Sequence, residues 1–415
     1  MNPSLSLSKD TWQKVKFSDI AEEVKEVIDK PSKSGLDRFV GGDHLDSGDL
    51  HIKRWGSTND VNAQKLLFKK GHILFGKRNA YLRKVAFADF DGVCSAHMMV
   101  LKPRTENIEE SFFPHFMQTD QFWDRALMIS EGSMSPTIKW KILAEQEFLI
   151  PPKEQQRRIA TTLWAAEDCI VKGERFVVAA ERAKQILMRE LFSKGIGHRE
   201  FQEVNGFGKL PKIWDIKTIK ELFETKLGKM LSPISKTGKN PKPYLRNVNV
   251  QWGWIDVSDL LEMDFSKGEC ERFCLIPGDI LVCEGGEIGR TAIWHGELQE
   301  CYYQKAIHRL RPLENKIVPE FFAYHMMYAF LIGKKYSDVG TVTTIAHLTE
   351  EKFEVLRIPV PPLAEQRQIT TILTRCDETI AAARANVGAA KALKMKMINE
   401  MLGPENPRRN TDRDL

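Results

Sequence analysis

Four cations crowd one short stretch of the chain: Lys77, Arg78, Arg83 and Lys84, with Asn79 and Tyr81 among them and no acid. Lysine and arginine neutralise phosphates, and Arg and Asn can pair with the edges of guanine and adenine. This is the composition that phosphate contact plus base readout needs. A solvated basic turn has the same composition, and the stretch by itself does not choose. A second cluster, Arg246, Asn247, Asn249 and Gln251, stands beside Trp252 and Trp254. A polar turn over a Trp-lined core is its plainer account. Arg290 ends a glycine-rich run that faces the first basic stretch when the two halves of the chain are matched. Each half also has a hydroxyl-rich loop: Ser133, Ser135 and Thr137 in one, Thr341, Thr343 and Thr344 in the other. These hydroxyls suit phosphate oxygens and equally suit helix caps.

Catalytic chemistry does not assemble. An adenine methyltransferase would need Asn/Asp-Pro-Pro-aromatic, but the two Pro-Pro pairs are followed by Lys153 and Leu363. No Gly-x4-Gly-Lys-Ser/Thr run is present, and the glycines of 284–290 lack the spacing of a dinucleotide loop. Cys270 and Cys274 have no second ligand pair nearby, so two thiols near a strand edge are expected rather than zinc. His97 and His308 sit in apolar, strand-like contexts, where packing is expected. No nucleophile, base and orienting group come together.

The elements that must position these loops are written twice. Residues 150–170 read IPPKEQQRRIATTLWAAEDCI and residues 360–380 read VPPLAEQRQITTILTRCDETI, an ungapped offset of 210 (360 − 150). Pro-Pro can start a helix, because the first helical N–H groups have no partner to lose. A 4,3,4,3 ladder follows in each copy. Its seam runs through Ile159, Leu163, Ile170, Val177, Lys184, Leu187 and Leu191, and through Ile369, Leu373, Ile380, Val387, Lys394, Met397 and Met401. A sustained 3.5-residue period is the coiled-coil signature, and one lysine on each seam suits a specified pairing. Each helix is expected to run about 40 residues, or about 60 Å. Two ordinary core helices are the alternative, but they would not share register over two copies. Orientation is not written in the sequence.

The frame around the helices repeats as well. Trp12 and Trp214 open the halves. Gly71 and Gly278 each lead into a buried strand, and further strands close on Pro103 and Pro312. An aromatic-rich helix follows in each, from Phe112 to Leu127 and from Pro319. The expected fold class is α+β, with two β-rich modules alternating with two long helices. The expected divisions are 1–150, a helix at 151–195, a linker and second module at 196–357, a helix at 358–403 and a disordered tail at 404–415. A chain of 415 residues is too long for one core. The net charge of +5 permits polyanion binding without demanding it. Seven irregularly spaced cysteines fit a reducing compartment. Neither a secretory signal nor a membrane-spanning run is read, so a cytoplasmic protein is expected.

Two variable modules alternating with two repeated helices resemble the specificity (S) subunit of type I restriction–modification systems. The residues that carry the resemblance are Pro151-Pro152 with Gln156, Arg157 and Ile159, and Pro361-Pro362 with Glu365, Gln366, Arg367 and Ile369. The first copy departs slightly, since Glu154-Gln155-Gln156 leaves its register open by one residue. The resemblance implies that each module is a target recognition domain reading one half of a split, asymmetric site in double-stranded DNA. It implies that the helices pair as an antiparallel coiled coil whose length sets the gap. It implies a non-catalytic chain with no cofactor of its own. S-adenosylmethionine, ATP and Mg would belong to two modification subunits and two restriction subunits. An enzyme with an unrecognised site and a scaffold that assembles other proteins are the competing classes.

Overall fold

A computed structural model of the chain describes residues 9–232, 237–314, 316–336 and 348–403. Thr341, Thr343, Thr344 and the tail 404–415 lie outside the described residues. The chain forms two units, one made of residues up to Glu174 together with those from Ala385 onward, the other of Arg175–Arg384.

In the first unit the short apolar runs Ile73–Phe75 and Gly92–Cys94 form strands buried on both faces, and the strands around them are only partly covered. A four-stranded antiparallel sheet has the order Ala21–Val24, Met99–Pro103, Ile73–Phe75, Val85–Phe87. A five-stranded sheet holds Arg38–Val40 parallel to Gly92–Cys94. The strands Gln13–Lys16 and Glu147–Ile150 pair antiparallel, Gln13 opposite Ile150, and hand the chain to Pro151-Pro152. The expected aromatic helix is split into Phe113–Phe116 and Asp120–Met128, because Thr119 turns extended and its Oγ1 accepts from Phe122 N at 3.2 Å. Phe113, Phe116, Phe122 and Trp123 make the core with Ile159 and Leu163 of the first long helix and Ile398 and Met401 of the second.

The second unit repeats the plan. Its four-stranded sheet runs Phe223–Leu227, Ile307–Pro312, Ile280–Cys283, Thr291–Ile293, the same order built from the corresponding strands. Pro241–Leu245 lies parallel to Tyr302–Tyr303, with Tyr244 opposite Tyr302 where the first unit has Phe39 opposite Val93. Asp215–Thr218 pairs with Arg357–Val360, Asp215 opposite Val360. Residues 358–360, expected in the second helix, are therefore strand. The linker after the first helix is also more ordered than a loop. Phe201–Val204 and Gly208–Pro211 form a hairpin, and its Asn205-Gly206 turn uses a positive φ of 85° at Gly206.

The long helices span Lys153–Lys194 and Leu363–Leu402. Each contributes to both units, and the pair is antiparallel in each. In the first unit Glu167 meets Lys394 and Glu174 meets Lys391. A Cβ on Gly173 would lie 2.7 Å from Val387 Cγ2, so glycine permits that close approach. In the second unit Glu181 meets Arg384 and Lys184 meets Asp377. The seam residues Ile159, Leu163, Ile170, Leu191, Ile369, Leu373, Ile380, Lys394 and Met401 are buried, and Val177, Lys184, Leu187, Val387 and Met397 are half-buried.

Candidate nucleic-acid interface

The loop 77–84 is the hairpin connection between Ile73–Phe75 and Val85–Phe87. Two of its non-glycine residues take left-handed backbone, Asn79 at φ 56° and Arg83 at φ 47°, on either side of the turn Ala80–Leu82. Such a conformation costs an L-residue roughly 1–2 kcal/mol, so the surroundings must impose it. They do so by joining the hairpin to the hydroxyl-rich loop. Asn79 N donates to Pro136 O at 2.8 Å and Ile138 N to Lys77 O at 2.9 Å. Arg78 Nε donates to Ser135 Oγ at 3.0 Å, and Ser135 Oγ donates to Asn79 Oδ1 at 3.2 Å. Thr137 Oγ1 is turned onto Ser135 O at 3.0 Å. Two sequence candidates 57 residues apart (135 − 78) thus form one ridge. The Lys77 side chain makes no hydrogen bond or ion pair among the described residues, while Arg78, Tyr81 and Ser133 are exposed and Met134 is 97% exposed. His97, expected to pack in a strand, is instead exposed in the turn before Met99–Pro103, with Nε2 3.4 Å from Arg78 Nη1. It adds to the ridge.

Not every cation of the stretch faces outward. Arg83 Nη1 donates to Asp120 Oδ1 at 2.8 Å, and Lys84 Nζ donates to Gly42 O at 2.6 Å. The second unit repeats the latter bond. Arg290, also the last residue before its hairpin's second strand, donates through Nη2 to Asn247 O at 2.6 Å. Gly42 and Asn247 occupy the same turn, since Gly41 N donates to His44 Nδ1 at 2.9 Å and Arg246 N to Asn249 Oδ1 at 2.8 Å. Lys84 and Arg290 are equivalent pins between the hairpin and that turn.

The Asn–Gln–Arg cluster of the second unit is accordingly mostly internal. Asn249, 2% exposed, accepts from Arg246 N and donates to Asp256 O and Asp259 O at 2.9 and 3.0 Å. Its amide has no free edge for a base, which corrects its place among the contact candidates. Arg246 is bound to Asp259 Oδ2 at 2.7 Å and Gln251 Nε2 to Val248 O at 2.7 Å. Asn247 Nδ2 donates to Gly285 O at 3.1 Å.

Sequence reasoning missed a cleft of about 810 Å³ in the second unit, walled by Lys226, Lys229, Lys239, Asn240 and Arg272 together with Asp264, Glu269 and Glu350. The signal was present: residues 226–242 contain five lysines and no acid. Asp264 accepts from Asn240 N at 2.7 Å, Gly238 N at 2.8 Å and Thr237 Oγ1 at 2.8 Å, bonds that hold its carboxyl below the usual range. The buried histidines are packing groups. Burial drives both His115 and His325 down to about 3 and lowers His308, whose Nε2 lies 2.9 Å from Leu348 O. Cys270 and Cys274, on and just after the helix Lys267–Phe273, are free and half-buried. Among the described residues, no group of three or more His, Cys, Asp or Glu is placed to hold a metal ion, and no helix is long and apolar enough to cross a membrane.

The register question of the first copy is answered by partners. Gln156 Oε1 accepts from Glu109 N and its Nε2 donates to Pro151 O, both at 2.8 Å. Gln366 does the same with Val318 N and Pro361 O, both at 2.8 Å. Gln155 then matches Glu365, and each takes the indole N–H of the opening tryptophan, Trp12 and Trp214, at 3.0 Å.

The family profile described as "Type I restriction modification DNA specificity domain" matches residues 9–174 and 211–387. The chain belongs to that family and carries its domain twice. It is 22% identical over 413 residues to the type I restriction enzyme MjaVIII specificity subunit of Methanocaldococcus jannaschii, covering 95% of this chain and 92% of that protein. It is 30% identical over 179 residues to the EcoDI specificity subunit of Escherichia coli, covering 41% of this chain and 39% of that one. The fold is shared with the solved type I restriction–modification S subunit from M. genitalium, at TM-score 0.54 and 15% identity over 98% of this chain and 100% of that one. It is also shared with a chain solved under "Structural basis underlying complex assembly and conformational transition of the type I R-M system", at TM-score 0.59 and 19% identity over 95% and 99%.

Proposed function

We propose that the chain is the DNA-reading subunit of a type I restriction–modification assembly and that each module reads one half of a bipartite, asymmetric duplex site. The observation that carries this is the duplication: one strand order built twice around an antiparallel helix pair, with different side chains on the corresponding loops. Two copies of one module in a single chain are a means of reading two half-sites. In the first module the contact surface is the ridge of Lys77, Arg78, Tyr81, His97 and Ser133, while Arg83, Lys84 and Arg290 hold loops in place. The chain itself performs no chemistry. Two modification subunits bring S-adenosylmethionine and methylate adenine, two restriction subunits bring ATP and Mg, and the assembly works in the cytoplasm.

The test is a module exchange. Residues 1–150 are replaced by those of another specificity subunit, the assembly is reconstituted, and methylated adenines are mapped. One half-site should change and the other persist. A change in both, or in neither, refutes the reading.

A further inference from the structure

The duplicated frame carries its cations at different places in its two copies. At the hairpin position the first unit has four cations and no acid in residues 77–84, whereas residues 284–290 of the second have Glu284, Glu287 and Arg290. Arg290 is turned inward as a pin, and Glu287 Oε1 accepts from Trp252 Nε1 at 2.7 Å. At the segment following the edge strand the balance is reversed. Residues 24–37 of the first unit hold three lysines and three acids, while residues 226–242 of the second hold five lysines and no acid.

In the second unit Lys226, Lys229 and Lys239 of that segment line the cleft. Lys226 is half-buried while Lys239 and Arg272 are exposed, and none of the three side chains makes a hydrogen bond or ion pair among the described residues. Lys229 has a different role, since its ammonium is held by Glu269 Oε2 and Asp264 O, both at 2.7 Å. The same bonds engage Glu269, and loop donors engage Asp264. With Lys229 balancing Glu269, the acids Asp264 and Glu350 face the three open cations Lys226, Lys239 and Arg272, and the wall keeps a net positive charge. One wall is the edge strand Phe223–Leu227, which pairs on one side with Ile307–Pro312.

We propose that this cleft is where the second module holds the phosphate backbone of duplex DNA, through Lys226, Lys239 and Arg272, whereas the first module uses its hairpin ridge. The inference rests on the DNA-reading function. Phosphate contacts set how a duplex is oriented and carry no sequence information. Moving them to another part of a shared frame therefore presents different loops to the base edges, and lets two copies of one fold read unrelated half-sites.

The test is amine-reactive footprinting of the full chain, read by mass spectrometry, with and without a mixed-sequence duplex at low and high salt. Lys77, Lys226 and Lys239 should lose reactivity on the duplex and regain it in high salt, while Lys30 and Lys33, at the corresponding place in the first unit, stay reactive. Protection of Lys77 with full reactivity at Lys226 and Lys239 overturns the assignment and leaves the reading function standing. Protection of none of them overturns both. The variant Lys226→Ala/Lys239→Ala/Arg272→Ala should lower the slope of log affinity against log salt by up to about 2.7, at about 0.9 per phosphate contact. An unchanged slope would also overturn it.

Discussion

Lys184 and Lys394 offer a test in which the repeat supplies its own control. Their partners, Asp377 and Glu167, also stand 210 residues apart (377 − 167 and 394 − 184), so the two ion pairs are one pair written twice. Their surroundings differ. Lys394 and Glu167 are each 3% exposed with N and O 2.5 Å apart, and Lys394 Nζ also reaches Gly48 O and Gln118 Oε1 at 3.2 Å. Lys184 is 11% exposed, but Asp377 is 45% exposed and keeps a second donor, Tyr324 OH at 2.7 Å. Lys394→Met strands Glu167 as a buried charge, which costs about 3–5 kcal/mol. Lys184→Met leaves Asp377 in water, so the loss is that of a surface pair, about 1 kcal/mol or less. The double variant Glu167→Leu/Lys394→Met should recover most of the first loss, because apolar groups can replace a buried pair at little cost. Hydrogen exchange read by mass spectrometry measures opening of each unit separately. Equal losses from the two lysine variants, or a double variant no better than Lys394→Met, would refute the reasoning.

Three further outcomes are expected. Gln156→Leu leaves Glu109 N and Pro151 O, and Gln366→Leu leaves Val318 N and Pro361 O, without a partner where a long helix begins, and each should cost about 2–6 kcal/mol in its own unit by hydrogen exchange, at about 1–3 per unsatisfied group. His115 and His325 are driven to about 3 in the fold against about 6.5 when unfolded. The unfolded chain alone takes up their protons, so this stability is whole above about pH 6.5 and declines as pH falls toward 3, by about 1.4 kcal/mol per unit for each; His115→Phe should flatten the acid limb of unfolding in the first unit. Lys77→Ala/Arg78→Ala should reduce the salt slope of duplex binding by about 1.8 at a stability cost no greater than that of one exposed hydrogen bond, about 1 kcal/mol, whereas Lys84→Met should leave the slope unchanged and lower stability.

The helices and the duplication were legible because both are covalent features. A period of 3.5 and an offset of 210 need no knowledge of partners. The seam lysines were visible as polar intruders, but Glu167 and Asp377 were not visible as their partners, since which acid meets which lysine depends on orientation. The register of Glu154-Gln155-Gln156 was undecidable from letters alone. It is settled by contacts across the fold: Gln156 and Gln366 share the same two partners, and Trp12 meets Gln155 across 143 residues. The linker hairpin is hard to read because its glycines and polar residues have the composition of a loop, and Asn205-Gly206 alone marks the turn.

The interface was less legible for a chemical reason. The donors that let arginine or asparagine recognise a base edge are the donors that let them cap a turn or bridge two loops, and the acceptor, a carbonyl oxygen, is the same kind of group in both uses. Composition therefore ranked Lys84, Arg290 and Asn249 with Lys77 and Arg78. What separates them is direction, which in the folded chain follows from the frame. The last hairpin residue before its second strand points back at the preceding turn in both units, so a long cation there becomes a pin whatever the module reads. A position with the same structural bond in both copies belongs to the frame, as Lys84 and Arg290 do. Under the proposed function the duplex is met where the copies differ, and in the second module a phosphate-holding cleft leaves base readout to the loops beside it.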